Sequence, residues 1–198
     1  MQNAVATHEG GFRAIYMPTF RGAVGSEFNL LEESGFDFAK MDEVLHSNDI
    51  ILFIKIHPVQ RFTIRDIESI SRCDNIKIVK NEGDIYETIG SYDALITDFS
   101  GIFFDFMVSG KPIIMAPFNL DSYLAKDRQL YYSYDDICPS EKCLSWEEVL
   151  GQLVKLKSEG FVPDERYKTL QRRFHTYLDC GSSQRAAHQI ADVTGYRR

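Results

Sequence analysis

The sequence predicts an α/β protein built on a doubly wound parallel sheet of the Rossmann-like kind, and three observations carry that expectation. Short apolar runs alternate with amphipathic stretches through most of the chain. The run IILFIKIHP from Ile50 is apolar almost without interruption, as a strand covered on both faces must be. The segment Asp93 to Pro117, DALITDFSGIFFDFMVSGKPIIMAP, sets strand, small-residue turn, helix and strand in quick succession, which is the grammar of a βαβ unit.

Taken in order, AIYMPTF (Ala14 to Phe20) reads as a first strand ended by Pro18. Phe38, Met41, Val44 and Leu45 fall at helical spacing. IILFIKIHP is the second strand and NIKIVK the third. DIYETIGSYD reads as a short helix, and ALITD and PIIMAP are the fourth and fifth strands. The order β-α-β-(α)-β-α-β-α-β favours a parallel sheet with right-handed crossovers. After about Tyr134 the strands stop. SWEEVLGQLVKLKSEG opens with a capping box, Ser145 and Glu148, and ends on Gly160. DERYKTLQRRFHTYL and SQRAAHQIADVTGY add two more helices. With no repeat, low-complexity tract or linker, residues 1–198 are expected to form one domain with a helical cover from about residue 144. Two long strandless loops, Arg21 to Gly35 and Phe118 to Pro139, follow strand ends, where function concentrates.

Composition narrows the function classes. Hydrophobic residues make up 44% and charged residues 26% of the 198, ordinary for a soluble globular protein. Lys and Arg number 22 against 29 Asp and Glu, a net charge of -7, so no basic stripe exists to bind nucleic acid. No apolar run approaches a membrane span, and MQNAVATHEGGF lacks the layout of a signal peptide, which makes the cytoplasm the expected compartment. Cys73, Cys138, Cys143 and Cys180 form no C-x-x-C pair. Free thiols are the expected reading, ahead of a zinc site made from Cys138, Cys143, His175 and Cys180. No metal is expected.

Three strand ends carry residues suited to chemistry: Thr19, Arg21 and Gly22 in MPTFRG, Lys55 and His57 in KIHP, and Asp98, Ser100 and Gly101 in TDFSG. In a parallel sheet these ends share one edge. Arg21, Lys55 and His57 would supply positive charge and hydrogen-bond donors. Ser100 would cap a helix starting at Gly101, whose free N–H groups and lack of Cβ suit a phosphate or pyrophosphate. Asp98 would repel such a ligand, so it should orient the turn, pair with a cation such as Arg21, or hold a hydroxyl. Each has a plainer counterpart: a simple cap for Ser100, a loop histidine for His57, a surface arginine for Arg21, a solvated helix residue for Asp105. Phe99, Phe103, Phe104 and Phe106 are read as core. Tyr131, Tyr132 and Tyr134 would stack on a base or cover the sheet edge.

MPTFRG, KIHP, YDALITDFSGIFFDF, GKPIIMAPFNLDSY and RQLYYSYDDICP, in this order and spacing, resemble the CDP-glycerol glycerophosphotransferases, the teichoic-acid primases and polymerases with some capsule polymerases. The resemblance covers about Ala14 to Pro139 and, more faintly, FHTYLDCGSSQRAAHQI. It implies the C-terminal, donor-binding domain of a GT-B-type transferase. Such an enzyme passes glycerol phosphate, or a similar alditol phosphate, from CDP-glycerol to a hydroxyl of a lipid-linked or polymer acceptor and releases CMP. It has no obligatory cofactor and works as a peripheral protein on the inner face of the cell membrane. By motif, the resemblance places His57 near the donor pyrophosphate as imidazolium or hydrogen-bond donor rather than base. Asp98 becomes the strand-end acid and Ser100 the helix-cap serine. Arg21 and Arg128 become the clamps, and Asp179 and Arg185 fall near the family's late D-G-x-x-S-x-R segment. Gln129 and Ser140 stand where the family usually has glycine, and LDCG stands for its DDG, departures that would bear on donor choice, for example another CDP-alditol. The acceptor-binding half and its catalytic base would lie before Met1, so the chain alone is expected to be inactive. Two other readings remain open. One is a nucleotide-sugar glycosyltransferase or epimerase of the GT-B type, whose ribose-binding Glu has only Asp105 as a poor counterpart. The other is a non-catalytic flavodoxin-like module, whose acidic pair after the first strand IYMPTFRG does not supply.

Overall fold

The computed structural model describes residues 11–120, 123 and 130–195. Its centre is β1 (Phe12–Tyr16), which pairs in parallel with β3 (Ile50–Ile54) on one side and β6 (Ala94–Thr97) on the other. β5 (Ile76–Ile78) extends the sheet beyond β3, and β7 (Ile113–Met115) beyond β6. The order is β5-β3-β1-β6-β7, all parallel. The winding therefore reverses direction between β1 and β6. In sheets of this kind a crevice opens at the carboxyl ends on either side of that reversal.

Alternation along β1 divides the core. Ala14 and Tyr16 face a layer with Leu52, Ile54, Met41, Leu45, Val149 and Leu153, while Ile15 faces a second layer with Leu95, Phe103, Phe106, Met107 and Tyr167. The first layer is closed by α2 (Phe38–Ser47) and α6 (Trp146–Glu159). The second is closed by α4 (Ile102–Met107) and α7 (Glu165–Phe174). The helix starts follow local chemistry. The Asp37 carboxylate accepts from the amides of Ala39 and Lys40, Thr63 Oγ1 from Asp66 N at the head of α3 (Ile64–Ser71), and Asp164 from Tyr167 N. At α6, Ser145 Oγ accepts from Glu148 N at 3.2 Å while the Glu148 carboxylate accepts from Leu144 N at 2.6 Å. The reciprocal box is there, displaced by one residue on the return bond. Gly160, at φ 77°, ends that helix.

Three elements differ from the sequence expectation. The first strand is Phe12–Tyr16, so Met17 to Phe20 already belongs to the edge loop. DIYETIGSYD forms two 3-10 turns, Ile85–Glu87 and Ile89–Ser91, rather than a helix. The loop after Arg21 is not strandless. It contains β2 (Glu27–Phe28), which pairs in parallel with β4 (Arg61–Phe62), followed by the single turn α1 (Leu30–Glu33). A short helix α5 (Tyr134–Ile137) interrupts the later loop, and α8 (Ser182–Thr194) ends the described chain with no buried residue. Among the described residues, no helix is long and apolar enough to cross a membrane.

Candidate functional site

The carboxyl ends of β1 and β6 meet at a buried carboxylate. Asp98 follows directly on β6 and is 0% exposed. Its two oxygens accept from Thr19 N at 2.9 and 3.1 Å, from Thr19 Oγ1 at 2.5 Å, from Ser100 N at 3.1 Å and from Arg21 Nη2 at 2.8 Å. Its carbonyl accepts from the Tyr134 hydroxyl at 3.0 Å. Burying a carboxylate is costly unless it is paired and fully hydrogen-bonded, and here both conditions hold. Of the alternatives foreseen for Asp98, the structure shows the pairing with Arg21 and the bond to Ser100 N that orients the turn; the hydroxyl it accepts from is that of Thr19, inside the protein.

Arg21 is correspondingly committed. A second guanidinium nitrogen donates to Thr19 O at 2.8 Å, and the guanidinium carbon stands 4.5 Å from the Phe99 ring centroid and 4.9 Å from that of Tyr123. The cation is stacked on aromatic faces as well as ion-paired. The turn it sits on continues through Gly22, at φ 71°, where a Cβ would come within 3.3 Å of Ser26 Oγ.

His57 lies on the neighbouring strand end, after β3, and is exposed. Val59 N donates to its Nδ1 at 3.3 Å, so that ring nitrogen is the acceptor in the loop and Nε2 is left toward the edge. The ring lies 5.5 Å from that of Phe20. Lys55 reaches sideways and donates from Nζ to Asn81 Oδ1 at 2.6 Å; partial burial lowers its pKa from the ordinary lysine value. The loops bearing Arg21 and His57 are bound to one another: Gly25 N donates to Val59 O at 2.7 Å, Arg61 N to Ser26 O at 3.2 Å, and Gln60 Nε2 to Arg21 O at 3.1 Å. Thr19, Arg21, His57, Asp98, Ser100 and Gly101 thus occupy adjoining strand ends of one edge, with Lys55 at its flank.

Arg185 and Asp105 are bonded elsewhere. Among the described residues the side-chain contacts of Arg185 are local: it donates to Asp179 at 2.8 and 3.1 Å and to Ser182 Oγ at 3.0 Å, and lies over Tyr177 at 3.9 Å. Arg128 and Gln129 lie outside the described residues. Asp105 is exposed on α4 and accepts from the Tyr86 hydroxyl at 2.7 Å. That bond, ahead of burial, pushes the Tyr86 pKa up to about 12. Removing the acceptor by Asp105→Ala should return the Tyr86 titration toward the ordinary tyrosine range near 10. Because the folded value is the raised one, any stability this bond confers is present below pH 10 and disappears as pH rises through about 12. Ultraviolet titration of wild type and variant checks this, and superimposable curves would contradict it. Cys73, Cys138 and Cys143 are buried and Cys180 is exposed, all as free thiols, and His175 Nε2 lies 2.7 Å from Phe104 O. Among the described residues no three potential metal ligands gather.

A sequence profile for the CDP-Glycerol:Poly(glycerophosphate) glycerophosphotransferases matches residues 3–192, nearly the whole chain. The chain belongs to that family. Among curated relatives, it is similar to the teichoic acid ribitol-phosphate primase of Bacillus spizizenii, at 24% identity over 90% of this chain and 43% of that protein. It is also similar to the teichoic acid glycerol-phosphate primase of Bacillus subtilis, at 28% identity over 90% of this chain and again 43% of that protein. The chain therefore spans less than half the length of these two curated relatives. Among solved structures, the wall teichoic acid polymerase TagF matches 95% of the chain with a TM-score of 0.68 at 21% identity, the chain covering 44% of it. A putative UDP-N-acetylglucosamine 2-epimerase from Listeria monocytogenes matches at a TM-score of 0.53 and 16% identity over 100% of this chain and 50% of that one. Both likenesses bear on the fold, and they agree with a GT-B-like domain.

In this glycerophosphotransferase-family chain one expectation needs correction. Ser100 does not cap α4: its side chain makes no capping bond, and the cap position falls at Gly101, already in the right-handed helical region at φ −58° and ψ −16°. Phe103 N bonds back to Ser100 O at 3.4 Å and Phe104 N to Gly101 O at 3.1 Å, so the first turn winds tightly from Ser100 itself. The acceptor that arrests this turn is Asp98, two residues earlier. Of the tyrosines, Tyr134 is buried and covers the sheet edge, whereas Tyr131 is 95% exposed. Phe99, Phe103 and Phe106 are core, as read, whereas Phe104 is half-buried against that core.

Proposed function

We propose that this chain is the donor-binding half of a transferase that moves glycerol phosphate, or a similar alditol phosphate, from a CDP-linked donor to a hydroxyl of a cell-wall or capsule polymer. The observation that carries this reading is the Asp98–Thr19–Arg21 cluster at the point where the sheet winding reverses, with His57 on the adjoining strand end. Membership of the glycerophosphotransferase family supports the donor class.

On this reading the cluster divides into a frame and a face. Asp98, Thr19 and the paired side of Arg21 form the frame, because their hydrogen bonds are spent on one another. His57, Ser100 and Gly101 are exposed or half-buried and form the face toward the donor, with Lys55 at its margin. Arg21 and Lys55 carry positive charge toward the pyrophosphate, His57 offers it a hydrogen-bond donor, and Arg128 is assigned the second clamp. Arg185 is assigned to the substrate side only as part of its compact unit with Asp179. The acceptor hydroxyl attacks the β-phosphorus, a new P–O bond forms, and the bond to the CMP oxygen breaks. The acceptor proton goes to a base in sequence outside this chain. His57, whose Nδ1 accepts from Val59 N, donates from Nε2 to the oxygens that gain charge as CMP departs. No metal or cofactor enters the scheme. The acceptor, lipid-linked or polymeric, is held by the remainder of the enzyme, which works at the inner face of the cell membrane; this half does little or no transfer alone.

Calorimetric titration of the chain with CDP-glycerol, CMP and UDP-sugars tests the reading. CDP-glycerol or CMP should bind in preference, and equal or tighter binding of a UDP-sugar would transfer the chain to the nucleotide-sugar enzymes. His57→Ala and Ser100→Ala should each weaken CDP-glycerol binding by about 1.5 to 3 kcal/mol, the value of a hydrogen bond to a charged group. Both melting temperatures should stay near wild type, since neither side chain holds a buried partner. Unchanged affinity in both variants would make these two residues ordinary loop positions.

A further inference from the structure

Resting on the reading above, we infer that Gln60 is a positioning residue that sets the Arg21 turn and the His57 turn at a fixed separation. It is 5% exposed, one of few buried polar residues, and it is not itself placed to touch a ligand. Its backbone N donates to His57 O at 2.9 Å, closing the tight turn that carries the histidine. Its side-chain Nε2 donates to Arg21 O at 3.1 Å, across 39 residues of sequence. Ser26 Oγ donates to the same carbonyl at 3.1 Å, so both lone pairs of the Arg21 oxygen are taken.

The surrounding bonds show why this contact differs from ordinary loop packing. The β2–β4 pairing and the Gly25–Val59 and Arg61–Ser26 bonds join residues 25–28 to residues 59–62, beyond the turns themselves. None of them reaches Arg21 or His57. Gln60 does both, one through its backbone and the other through its amide. Arg21 is then held from two directions, its guanidinium by Asp98 and its carbonyl by Gln60 and Ser26. Fixing the main chain here decides where the guanidinium stands relative to the imidazole. A misplacement of an ångström between two groups that share one ligand is felt directly in binding.

The test compares wild type with Gln60→Met, which keeps length and burial and removes the amide. The first readout needs no ligand: the nitrogen resonances of the His57 ring and of the Arg21 guanidinium. Both should move in Gln60→Met while the Tyr86 ring signals hold still. The second is the calorimetric Kd for CDP-glycerol, expected to rise about three- to tenfold, as one lost neutral hydrogen bond implies, with the melting temperature little changed. Should Gln60→Met fail to fold, Gln60→Glu serves instead, placing a carboxylate oxygen against the Arg21 carbonyl and shifting the same signals. Resonances that stay in place in a folded variant overturn the inference whatever the affinity does. So do moved resonances with an unchanged Kd. Moved resonances in a chain whose wild type fails to bind CDP-glycerol would refute the donor reading and leave the coupling of the two turns established.

Discussion

Asp98→Ala should destabilise the fold by about 3 to 5 kcal/mol, because it leaves one member of a buried ion pair without its partner. The Arg21 side chain is 19% exposed, so water cannot fully replace the lost carboxylate, and Thr19 N, Thr19 Oγ1 and Ser100 N lose an acceptor together. Asp98→Asn keeps one acceptor oxygen for Thr19 but turns an amide toward the guanidinium, and should fall between wild type and Ala. Urea unfolding followed by tryptophan fluorescence measures both, since the chain has one tryptophan. A loss below about 1 kcal/mol for Asp98→Ala, the range of an exposed pair, would mean that the cluster is solvated rather than buried.

That tryptophan is the subject of the second large effect. Trp146 stands edge-on to Tyr16 at 4.9 Å and to Phe36 at 4.7 Å, and tilted against Phe118 at 4.9 Å, while its Nε1 donates to Ser34 Oγ at 2.7 Å. It fastens the first turn of α6 to the strand that leads into Thr19 and Arg21. Trp146→Ala should cost about 3 to 5 kcal/mol, the range for emptying a buried aromatic site. Trp146→Phe should cost clearly less, retaining most of the ring contacts and losing the Ser34 bond. Guanidinium denaturation followed by circular dichroism reads the difference. Equal losses for the two variants would assign the stabilisation to the hydrogen bond instead of the packing.

The elements that were legible in the sequence are those whose side chains face a core. IILFI and ALIT are apolar because they are covered on both faces, and Trp146–Glu159 is marked by its own cap and its terminal glycine. β2 and β4, two residues each, carry no pattern of their own; EF and RF become strands only because two edge loops lie side by side. The short helix expected at DIYETIGSYD is broken into 3-10 turns, with Gly90 in the second. In the site, the residue types at the strand ends were readable, and so was the need of Asp98 for a cation. The Ser100 cap was not, because the deciding acceptor is a residue buried by the tertiary fold. Gln60 gave no signal, since a glutamine two residues after a proline looks like any surface turn until its burial is known.

The central place of β1 has a consequence for how the chain comes to be made. Arg13 N reaches its acceptor on Asp93 across 80 residues, and β1 finds its β6 neighbour only when that later segment exists. During synthesis at about 5 to 20 residues per second, β1 would wait roughly 4 to 16 s with one edge open. β3 can cover its other edge sooner, because Phe12 pairs with Ile50. An early three-stranded intermediate of β1, β3 and β5 would thus expose the apolar edge and face that β6, α4 and β7 later cover. A nascent chain stalled before Asp93 is the species on which holdase chaperones would act, and the Asp98 cluster cannot close until β6 has emerged.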